Sequence, residues 1–275
     1  MTKNCLSEIG HRTLVMGILN VTPDSFSDGG LFVNIESAVE HANKMIEDGA
    51  DIIDIGGEST RPGAEIIPID VELNRVIPVI KALSNSTNVC ISIDTYKSAV
   101  AKIAIDNGAC IVNDISSMSD PNMAETVAKA DVPIILMHKK GTPKDMQIAP
   151  HYHSLIAEIS QYLQDKIQTA ENSGVSPDKI IIDPGIGFGK TIAHNLEILR
   201  RLGEFKSLGK PILMGTSRKS FIGKILNISD PKDRVDGTSA TMAIAIANGA
   251  DIIRVHDVRQ MTMVARMADA IIRGF

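Results

Sequence analysis

Short runs of apolar, mostly β-branched residues recur along the chain, and longer amphipathic segments separate them. Unbroken hydrophobicity is typical of strands buried on both faces, as in a parallel sheet covered by helices. Eight such runs predict strands at residues 14–19, 52–55, 89–93, 111–112, 134–137, 180–182, 212–214 and 252–255. Amphipathic periodicity predicts helices at residues 35–47, 70–83, 97–107, 155–172, 235–248 and 258–273.

The alternation of strands and helices indicates an α/β fold with a parallel sheet. A Gly-Ala pair stands just before a strand at residues 49–50, 108–109 and 249–250, where glycine can end the preceding helix. Eight units, without a Gly-x-Gly-x-x-Gly pattern after the first strand, favour a closed, eight-stranded parallel (β/α)8 TIM barrel over an open doubly wound sheet. The length of 275 residues fits one such barrel, so we predict a single domain over residues 1–275.

Composition and charge exclude several classes of function. A hydrophobic content of 44% and a charged content of 22% are typical of a globular protein with a large core. The net charge of -5 argues against a general nucleic-acid surface. No apolar stretch approaches the roughly 20 residues of a membrane helix, and residues 1–11 lack a signal-peptide core, so we expect a cytoplasmic protein. The three cysteines lack metal-ligand spacing and are interpreted as reduced packing residues.

Polar side chains follow nearly every predicted strand. Active sites of such barrels lie at the carboxyl ends of the strands, so these side chains predict one site at that mouth. They are Asn20, Glu58, Asp94, Asn113, Asp114, His138, Asp183, Ser217, Lys219, Arg254 and His256.

Three of these residues suit recognition of a flat heterocycle. Asp183 can accept two parallel N–H bonds from an aminopyrimidinone edge, although a helix cap or a salt bridge is the plainer alternative. Asp94 and Asn113 end neighbouring strands and offer a carboxylate and an amide to the same ligand. For Asn113, a turn residue bonded to its own backbone is an equally good interpretation.

Cations gather after the last two strands, where barrels of this kind usually bind phosphate. The alternative is that they are ordinary solvated surface charges. The cations are Arg218, Lys219, Arg254 and His256, and the loop after the second strand adds Thr60 and Arg61.

The glycine-rich segment 185–191 resembles a phosphate-binding loop only superficially. The first glycine of a Walker A pattern would fall on Pro184, and the third glycine of a dinucleotide pattern would fall on Lys190. What remains is a turn from strand to helix that can bring Phe188 over a ligand ring. The polar segment 21–30 is interpreted as a mobile lid.

Seven sequence blocks together carry a resemblance to a known family. They are MGILNVTPDSFSDGG at 16–30, DIGGESTRPG at 54–63, SIDT at 92–95, VND at 112–114, DPGIGFGK at 183–190, SRKSF at 217–221 and RVHD at 254–257. In these blocks the chain resembles the dihydropteroate synthases, along essentially its whole length.

The resemblance implies condensation of 6-hydroxymethyl-7,8-dihydropterin diphosphate with 4-aminobenzoate, giving 7,8-dihydropteroate and diphosphate in folate biosynthesis. It further implies Mg²⁺ as cofactor, competition by sulfonamides at the aminobenzoate site, and a homodimer formed through the outer helices. By the same resemblance, Asp94, Lys219, Arg254 and His256 are the catalytic residues.

The resemblance also distributes the binding residues among the ligands. The pterin contacts are Asp94, Asn113, Asp183 and Lys219, with Arg254 stacked on the ring. The diphosphate contacts are Thr60, Arg61, Arg254 and His256, and the magnesium ligand is Asn20. The aminobenzoate pocket is formed by Ser217, Phe26, Pro62, Gly63 and Phe188.

The reaction expected from these residues is a dissociative substitution. Departing diphosphate gathers charge that Mg²⁺ and the cations after the eighth strand can stabilise, and Asp94 can stabilise the cation left on the pterin. Two other functions stay open. A methyltetrahydrofolate–corrinoid methyltransferase would share the pterin site but needs no diphosphate cradle, and a non-catalytic paralogue would bind pterin alone.

Overall fold

Eight parallel strands alternate with helices in the computed structural model, which describes residues 6–22, 31–59, 66–141, 146 and 148–274, with only the backbone of 31–34. The strands are β1 (Leu14–Asn20), β2 (Ile52–Gly56), β3 (Cys90–Asp94), β4 (Ile111–Asp114), β5 (Ile134–Met137), β6 (Ile180–Asp183), β7 (Leu213–Met214) and β8 (Ile252–Val255). All eight predicted strands are therefore confirmed, with shifts of one or two residues at their ends.

Nine α-helices connect the strands of the described chain. They are α1 (Leu31–Glu47), α2 (Ile69–Ser86), α3 (Ser98–Asp106), α4 (Met123–Ala130), α5 (Leu155–Asn172), α6 (Ile192–Arg200), α7 (Ser220–Leu226), α8 (Val235–Ala247) and α9 (Val258–Arg273). The six predicted helices are confirmed. The other three, α4, α6 and α7, have only seven to nine residues each, so their amphipathic pattern is short.

The strands close into a barrel. Hydrogen-bonded neighbours run in the order β6-β5-β4-β3-β2-β1-β8-β7, and a parallel bridge between Ile182 and Ile212 joins the two ends of that order. The predicted (β/α)8 TIM barrel is confirmed. No helix of the described residues has both the length and the apolarity needed to cross a membrane.

Two apolar layers follow from the alternation of side chains along each strand. The larger lies between the barrel and its helices and includes Ile53, Ile55, Ile93 and Phe205. The smaller fills the floor of the barrel interior, with one side chain from most strands. Its members are Leu14, Met16, Ile52, Cys90, Ile111, Ile135, Ile181, Leu213 and Ile252. Positions two or four residues beyond these floor residues therefore also face the interior, nearer the carboxyl mouth.

The cysteines only partly match their interpretation. The Cys110 thiol donates a hydrogen bond to the Ile91 carbonyl oxygen at 3.4 Å, as expected of a reduced packing residue. Cys90 is disulfide-bonded in the structure, so the interpretation was wrong for that residue. Cys5 lies outside the described residues.

We predict that Gly185→Ala strongly destabilises the fold, whereas Gly209→Ala does so mildly. Both glycines have positive φ, +73° and +66°, but a Cβ at Gly185 would lie 1.9 Å from the His138 carbonyl oxygen and one at Gly209 would meet nothing within 4 Å. The left-handed conformation alone costs about 1–2 kcal/mol, and the backbone clash adds to it. Urea unfolding of both variants measures the difference in their free energies of unfolding. Equal losses of stability in the two variants would contradict the clash.

Candidate active site

The register of four strands places the polar ends of β1, β3 and β4 along one rim. Asn20 pairs with Gly56, Gly56 with Asp94, and Asp94 with Asn113. A Cβ added at Gly56 would lie 3.5 Å from the Asp94 Cβ and 3.8 Å from the Asn20 Oδ1. The glycine therefore leaves open the space between the Asn20 amide oxygen and the Asp94 carboxylate.

Arg254 links two carboxylates inside the barrel. Its Nε donates to Asp54 Oδ2 at 2.6 Å, and its Nη2 donates to Asp94 Oδ2 at 2.7 Å. The Asn113 Nδ2 donates to the same Asp54 oxygen at 2.9 Å. Strands β2, β3, β4 and β8 thus each contribute one side chain to a single network, which we call the Arg254 cluster: Asp54, Asp94, Asn113 and Arg254.

Asp94 is held in an environment that disfavours its charge. The pKa of Asp94 is raised to about 7, chiefly by burial and also by the neighbouring Asp54 carboxylate, against the opposing charge of Arg254. A carboxyl group with such a pKa can gain or lose a proton, or exchange its hydrogen-bond partner, when a ligand binds. Shifts of this kind are concentrated at functional sites.

Asp183 and Lys219 carry a second set of opposite charges in the interior. The Asp183 Oδ1 accepts a hydrogen bond from the Gly185 backbone N at 2.7 Å. Burial raises the pKa of Asp183, and the charge of Lys219 opposes that rise. Burial lowers the pKa of Lys219 to about 8, against the attraction of Asp183. The Lys219 ammonium also lies 4.2 Å from the centroid of the Phe188 ring, a cation–π contact.

The loop after β6 brings a further lysine into the interior. Lys190 is only 2% exposed, and its Nζ lies 2.9 Å from His138 Nδ1 and donates to the Phe188 carbonyl oxygen at 3.1 Å. Burial lowers the pKa of Lys190 to about 7, and burial also lowers the pKa of His138 far below its usual value. A neutral imidazole therefore accepts from the lysine, and the pair holds the turn that carries Phe188.

The loops after β7 and β8 are tied together by two pairs of residues. The Ser217 Oγ lies 3.0 Å from His256 Nδ1 and accepts from the His256 backbone N at 3.1 Å. Arg218 has a φ of 58° and pairs through two nitrogens with Asp257. The guanidinium of Arg218 is thus engaged by a carboxylate, unlike the free phosphate-binding cation that the sequence suggested.

Glu58 belongs to a buried network at the base of the loop after β2. Lys97 Nζ donates to Glu58 Oε2 at 2.5 Å, to Glu72 Oε2 at 2.7 Å and to the Ile67 carbonyl oxygen at 2.7 Å. Tyr96 Oη donates to the second Glu58 oxygen at 2.7 Å. Glu58, one of the polar residues that the sequence placed at the mouth, therefore holds structure just after the strand end.

Asn20 fits a magnesium ion that takes few protein ligands. Its amide oxygen borders the space above Gly56 and is a hard donor of the kind that Mg²⁺ prefers. The described residues contain no group of three or more His, Cys, Asp or Glu side chains that could hold a metal by themselves. An ion here would need oxygen atoms from a substrate, as magnesium often does.

Several predicted site residues cannot be placed. Thr60, Arg61, Pro62 and Gly63 of the loop after β2, and Phe26 of the segment after β1, lie outside the described residues. Of the segment 21–30 interpreted as a lid, only residues 21 and 22 are described.

Two buried residues of the site, Asp54 and Lys190, do not stand at the end of an apolar run, so the strand pattern did not predict them. Asp54 stands inside the run Ile52-Ile53-Asp54-Ile55. A charged residue within a continuous apolar strand must be paired in the interior, and that signal was available in the sequence. Lys190 had no comparable signal, because it follows a glycine-rich turn whose path the sequence does not specify.

The chain matches the family described as pterin binding enzyme over residues 16–256. It is 52% identical to the dihydropteroate synthase of Synechocystis over 269 residues, which cover 98% of this chain and 93% of that protein. The chain belongs to the dihydropteroate synthase family. The resemblance predicted from the sequence blocks is thereby confirmed.

Solved structures of dihydropteroate synthases share the fold closely. The Clostridium difficile enzyme, crystallised in the presence of pteroic acid, superposes with a TM-score of 0.91 at 50% identity, covering 97% of this chain and 99% of that one. The Xanthomonas albilineans enzyme with 4-aminobenzoic acid gives a TM-score of 0.90 at 43% identity, covering 94% and 93%. The Arg254 cluster therefore lies inside a barrel of the dihydropteroate synthase family.

We predict that the Asp94 carboxyl titrates near pH 7 in the ligand-free protein. Because its pKa of about 7 exceeds the unfolded value of roughly 4, its contribution to the free energy of unfolding falls as pH rises between these values. Carbon-13 NMR of labelled aspartate measures the titration, and Asp94→Asn identifies the signal. If the signal lost in this variant titrates below pH 5, the burial argument fails.

Proposed function

We propose that this chain condenses 6-hydroxymethyl-7,8-dihydropterin diphosphate with 4-aminobenzoate to give 7,8-dihydropteroate and diphosphate. The observation that carries the proposal is the Arg254 cluster, a buried set of two carboxylates, an amide and a guanidinium in a dihydropteroate synthase barrel. About 50% identity to dihydropteroate synthases over nearly the whole chain favours this reaction over methyl transfer to a corrinoid partner and over a non-catalytic role.

The pterin ring is bound by complementary hydrogen bonds. Asp183 accepts from the aminopyrimidinone edge, because a carboxylate can take two parallel N–H donors. Lys219 donates to a ring oxygen or nitrogen while its charge balances Asp183. Asn113 and Asp94 contact the opposite part of the ring. These four residues supply both donors and acceptors, as a pterin requires.

The diphosphate binds beside the pterin, at the carboxyl end of β8. Arg254 and His256 provide positive charge or N–H donors there, and Thr60 and Arg61 add their side chains from the loop after β2. When bound, Mg²⁺ held by Asn20 and diphosphate oxygens would neutralise charge that builds up on the leaving group. Arg254 contributes the same kind of stabilisation from the protein side.

Bond cleavage at the pterin methylene precedes attack by the amine. The C–O bond breaks with both electrons going to diphosphate, and the positive charge left on the methylene spreads into the ring. Asp94, when ionised, stabilises that charge through space. The amine nitrogen of 4-aminobenzoate then forms the C–N bond and loses a proton. Ser217, Phe188, Pro62 and Gly63 form the pocket for this second substrate, where competition by sulfonamides stays a prediction.

We predict that the purified chain forms dihydropteroate from the two substrates and Mg²⁺, and that Asp94→Asn lowers kcat/KM by about 10²–10³-fold. The asparagine keeps the shape but removes the charge that stabilises the pterin cation, and losses of this size are typical when one electrostatic group is removed. Product formation is followed by chromatography. Asp165→Asn, a change in an exposed residue of α5, is the matched control and should leave kcat/KM unchanged.

Different outcomes of this assay separate the candidate functions. Absence of product from a folded sample would end the proposal, and methyl loss from methyltetrahydrofolate would favour the corrinoid-linked alternative. Full activity in the presence of a chelator would remove Mg²⁺ from the scheme. An adduct between pterin and protein would contradict the dissociative route.

The outer surface of the barrel supports a homodimer. Exposed apolar side chains of α9 recur at helical spacing, with Met263 at 58%, Met267 at 62% and Ile271 at 72% exposure, and Ile244 of the contacting helix α8 is 49% exposed. An apolar stripe of this kind is typical of a surface that pairs with another protein. A second copy of the chain is the partner we propose; the cytoplasmic location also stays a prediction.

We predict a mass of twice 29.6 kDa in sedimentation equilibrium, and a shift towards monomer in Met267→Lys. Burial of the lysine charge in an apolar interface would remove its hydration without providing an ionic partner, which destabilises the dimer. Ile148→Lys, which replaces another exposed apolar residue at 75% exposure, is the control and should keep the dimer. A wild-type mass of one chain at micromolar concentration would contradict this arrangement.

A further inference from the structure

Asp54 occupies the interior of the barrel one level below the rim. It is the third residue of β2, its side chain has 0% exposure, and its register partners are Ile18 on β1 and Ser92 on β3. Two residues further along the same face stands Gly56, whose missing side chain leaves the rim open above it. Asp54 is therefore too deep to be an ordinary rim residue, yet it lies directly beneath the ligand-binding space.

One oxygen of Asp54 receives two donors from opposite sides of the barrel. Oδ2 accepts from Arg254 Nε on β8 at 2.6 Å and from Asn113 Nδ2 on β4 at 2.9 Å. The other oxygen, Oδ1, is buried and has no hydrogen-bond partner among the described residues. Leaving a buried carboxylate oxygen unpaired is costly, so the position of this group reflects its two donors and not its own solvation.

The contact with Asp54 determines which way the Asn113 amide faces. An ionised carboxylate can only accept, so the NH₂ group of Asn113 must point towards Asp54. The amide oxygen is thereby kept away from Asp54 and remains an acceptor for N–H groups of a ligand. Without this contact, the two orientations of the amide would differ little in energy, and acceptor and donor positions could exchange.

The contact with Asp54 also sets the plane of the Arg254 guanidinium. Nε and Nη2 point to the two carboxylates of Asp54 and Asp94, while Nη1 has no acceptor among the described residues. A planar group held at two of its nitrogens has no remaining rotational freedom, so the direction of Nη1 is fixed. That nitrogen is the one available to an anionic ligand.

Charge balance gives Asp54 a second task. In the ligand-free protein Arg254 has two carboxylate partners. When Asp94 turns to the pterin, Arg254 would become a poorly paired buried charge if Asp94 were its only partner, and such charges are expensive. Asp54 is fully buried and bonded to Arg254, so it is the partner that can remain with Arg254 throughout.

We propose that Asp54 is a positioning residue that orients Asn113 and Arg254 and stays the counter-charge of Arg254 when Asp94 binds the pterin. The inference rests on the proposed function for the identity of the ligand. It extends that function to a residue that contacts no substrate and acts only through two side chains that do.

The test compares Asp54→Asn with Ser92→Ala. Asparagine keeps the size of Asp54 but removes the charge. Its amide can donate to Asn113 as well as accept from it, so the orientation of the Asn113 amide is no longer determined. Ser92 is the register partner at the same depth, and its Oγ has no hydrogen bond among the described residues, so Ser92→Ala controls for disturbance of the interior. We expect Asp54→Asn to weaken binding of 6-hydroxymethylpterin, measured by calorimetry, at least tenfold, with Ser92→Ala unchanged.

A double-mutant cycle separates positioning from general structural damage. If Asp54 acts partly through Asn113, its substitution should cost clearly less pterin affinity in an Asn113→Ala background than in the wild type, because residues in one network are not additive. If the two losses simply multiply, Asp54 only supports the fold and the inference is overturned. The cycle uses a pterin without diphosphate, so it needs no turnover and is independent of the product assay.

A measurement on the wild-type protein covers the case in which Asp54→Asn does not fold. The Arg254 Nε–H signal, identified by its loss in Arg254→Lys, should remain protected from hydrogen exchange when pterin binds. Loss of protection on binding would show that Asp54 releases Arg254, which contradicts a permanent counter-charge. If the wild type forms dihydropteroate but both tests fail, only the role of Asp54 falls; if it forms no dihydropteroate, the proposed function falls.

Discussion

Successive side chains of a strand point to opposite faces, and in a closed barrel the inner face reaches solvent only through the two ends. Any charge on that face must therefore find its partner inside. Here the lower part of the interior is apolar, and the charges begin one level higher with Asp54, followed at the rim by Asp94 and Asp183. Arg254 on β8 and Lys219 in the loop after β7 balance them. Because these charged groups interact in an environment of low dielectric constant, each of them is sensitive to a ligand that replaces one of its partners.

The perturbed ionisation of the site is a consequence of this confinement. Burial is the largest cause of the pKa shifts of Asp94, Asp183, Lys190 and Lys219, whereas neighbouring opposite charges oppose these shifts. Burial favours the neutral form of the acids and of the lysines. The pKa values of the carboxyl and ammonium groups, which differ widely in water, therefore come closer together. A ligand that supplies donors to the acids and acceptors to the lysines restores the charged forms, because hydrogen bonds to the charged form favour it. Binding and protonation are therefore linked in this interior.

The sequence predicted the barrel because its strands are unbroken apolar runs, a pattern that does not depend on long-range contacts. It also predicted Asp94, Asn113 and Asp183, because a strand that ends in a polar residue places that residue at the mouth. It did not predict α7, a helix of seven residues whose stability comes from packing. It did not predict the engagement of Arg218 by Asp257 either, because the left-handed φ of Arg218 and the position of Asp257 depend on the tertiary fold.

The network around Lys97 has a consequence for how this enzyme can change over evolution. The Lys97 ammonium binds Glu58, just after β2, and the Ile67 carbonyl oxygen, just before α2. The two ends of this loop are therefore fixed to each other. The residues between these two points include Thr60, Arg61 and Pro62, and their replacement does not alter the anchor. Loop positions with fixed ends tolerate substitution better than the elements that flank them. Substitutions between the two anchored points can therefore be selected while the barrel keeps its stability.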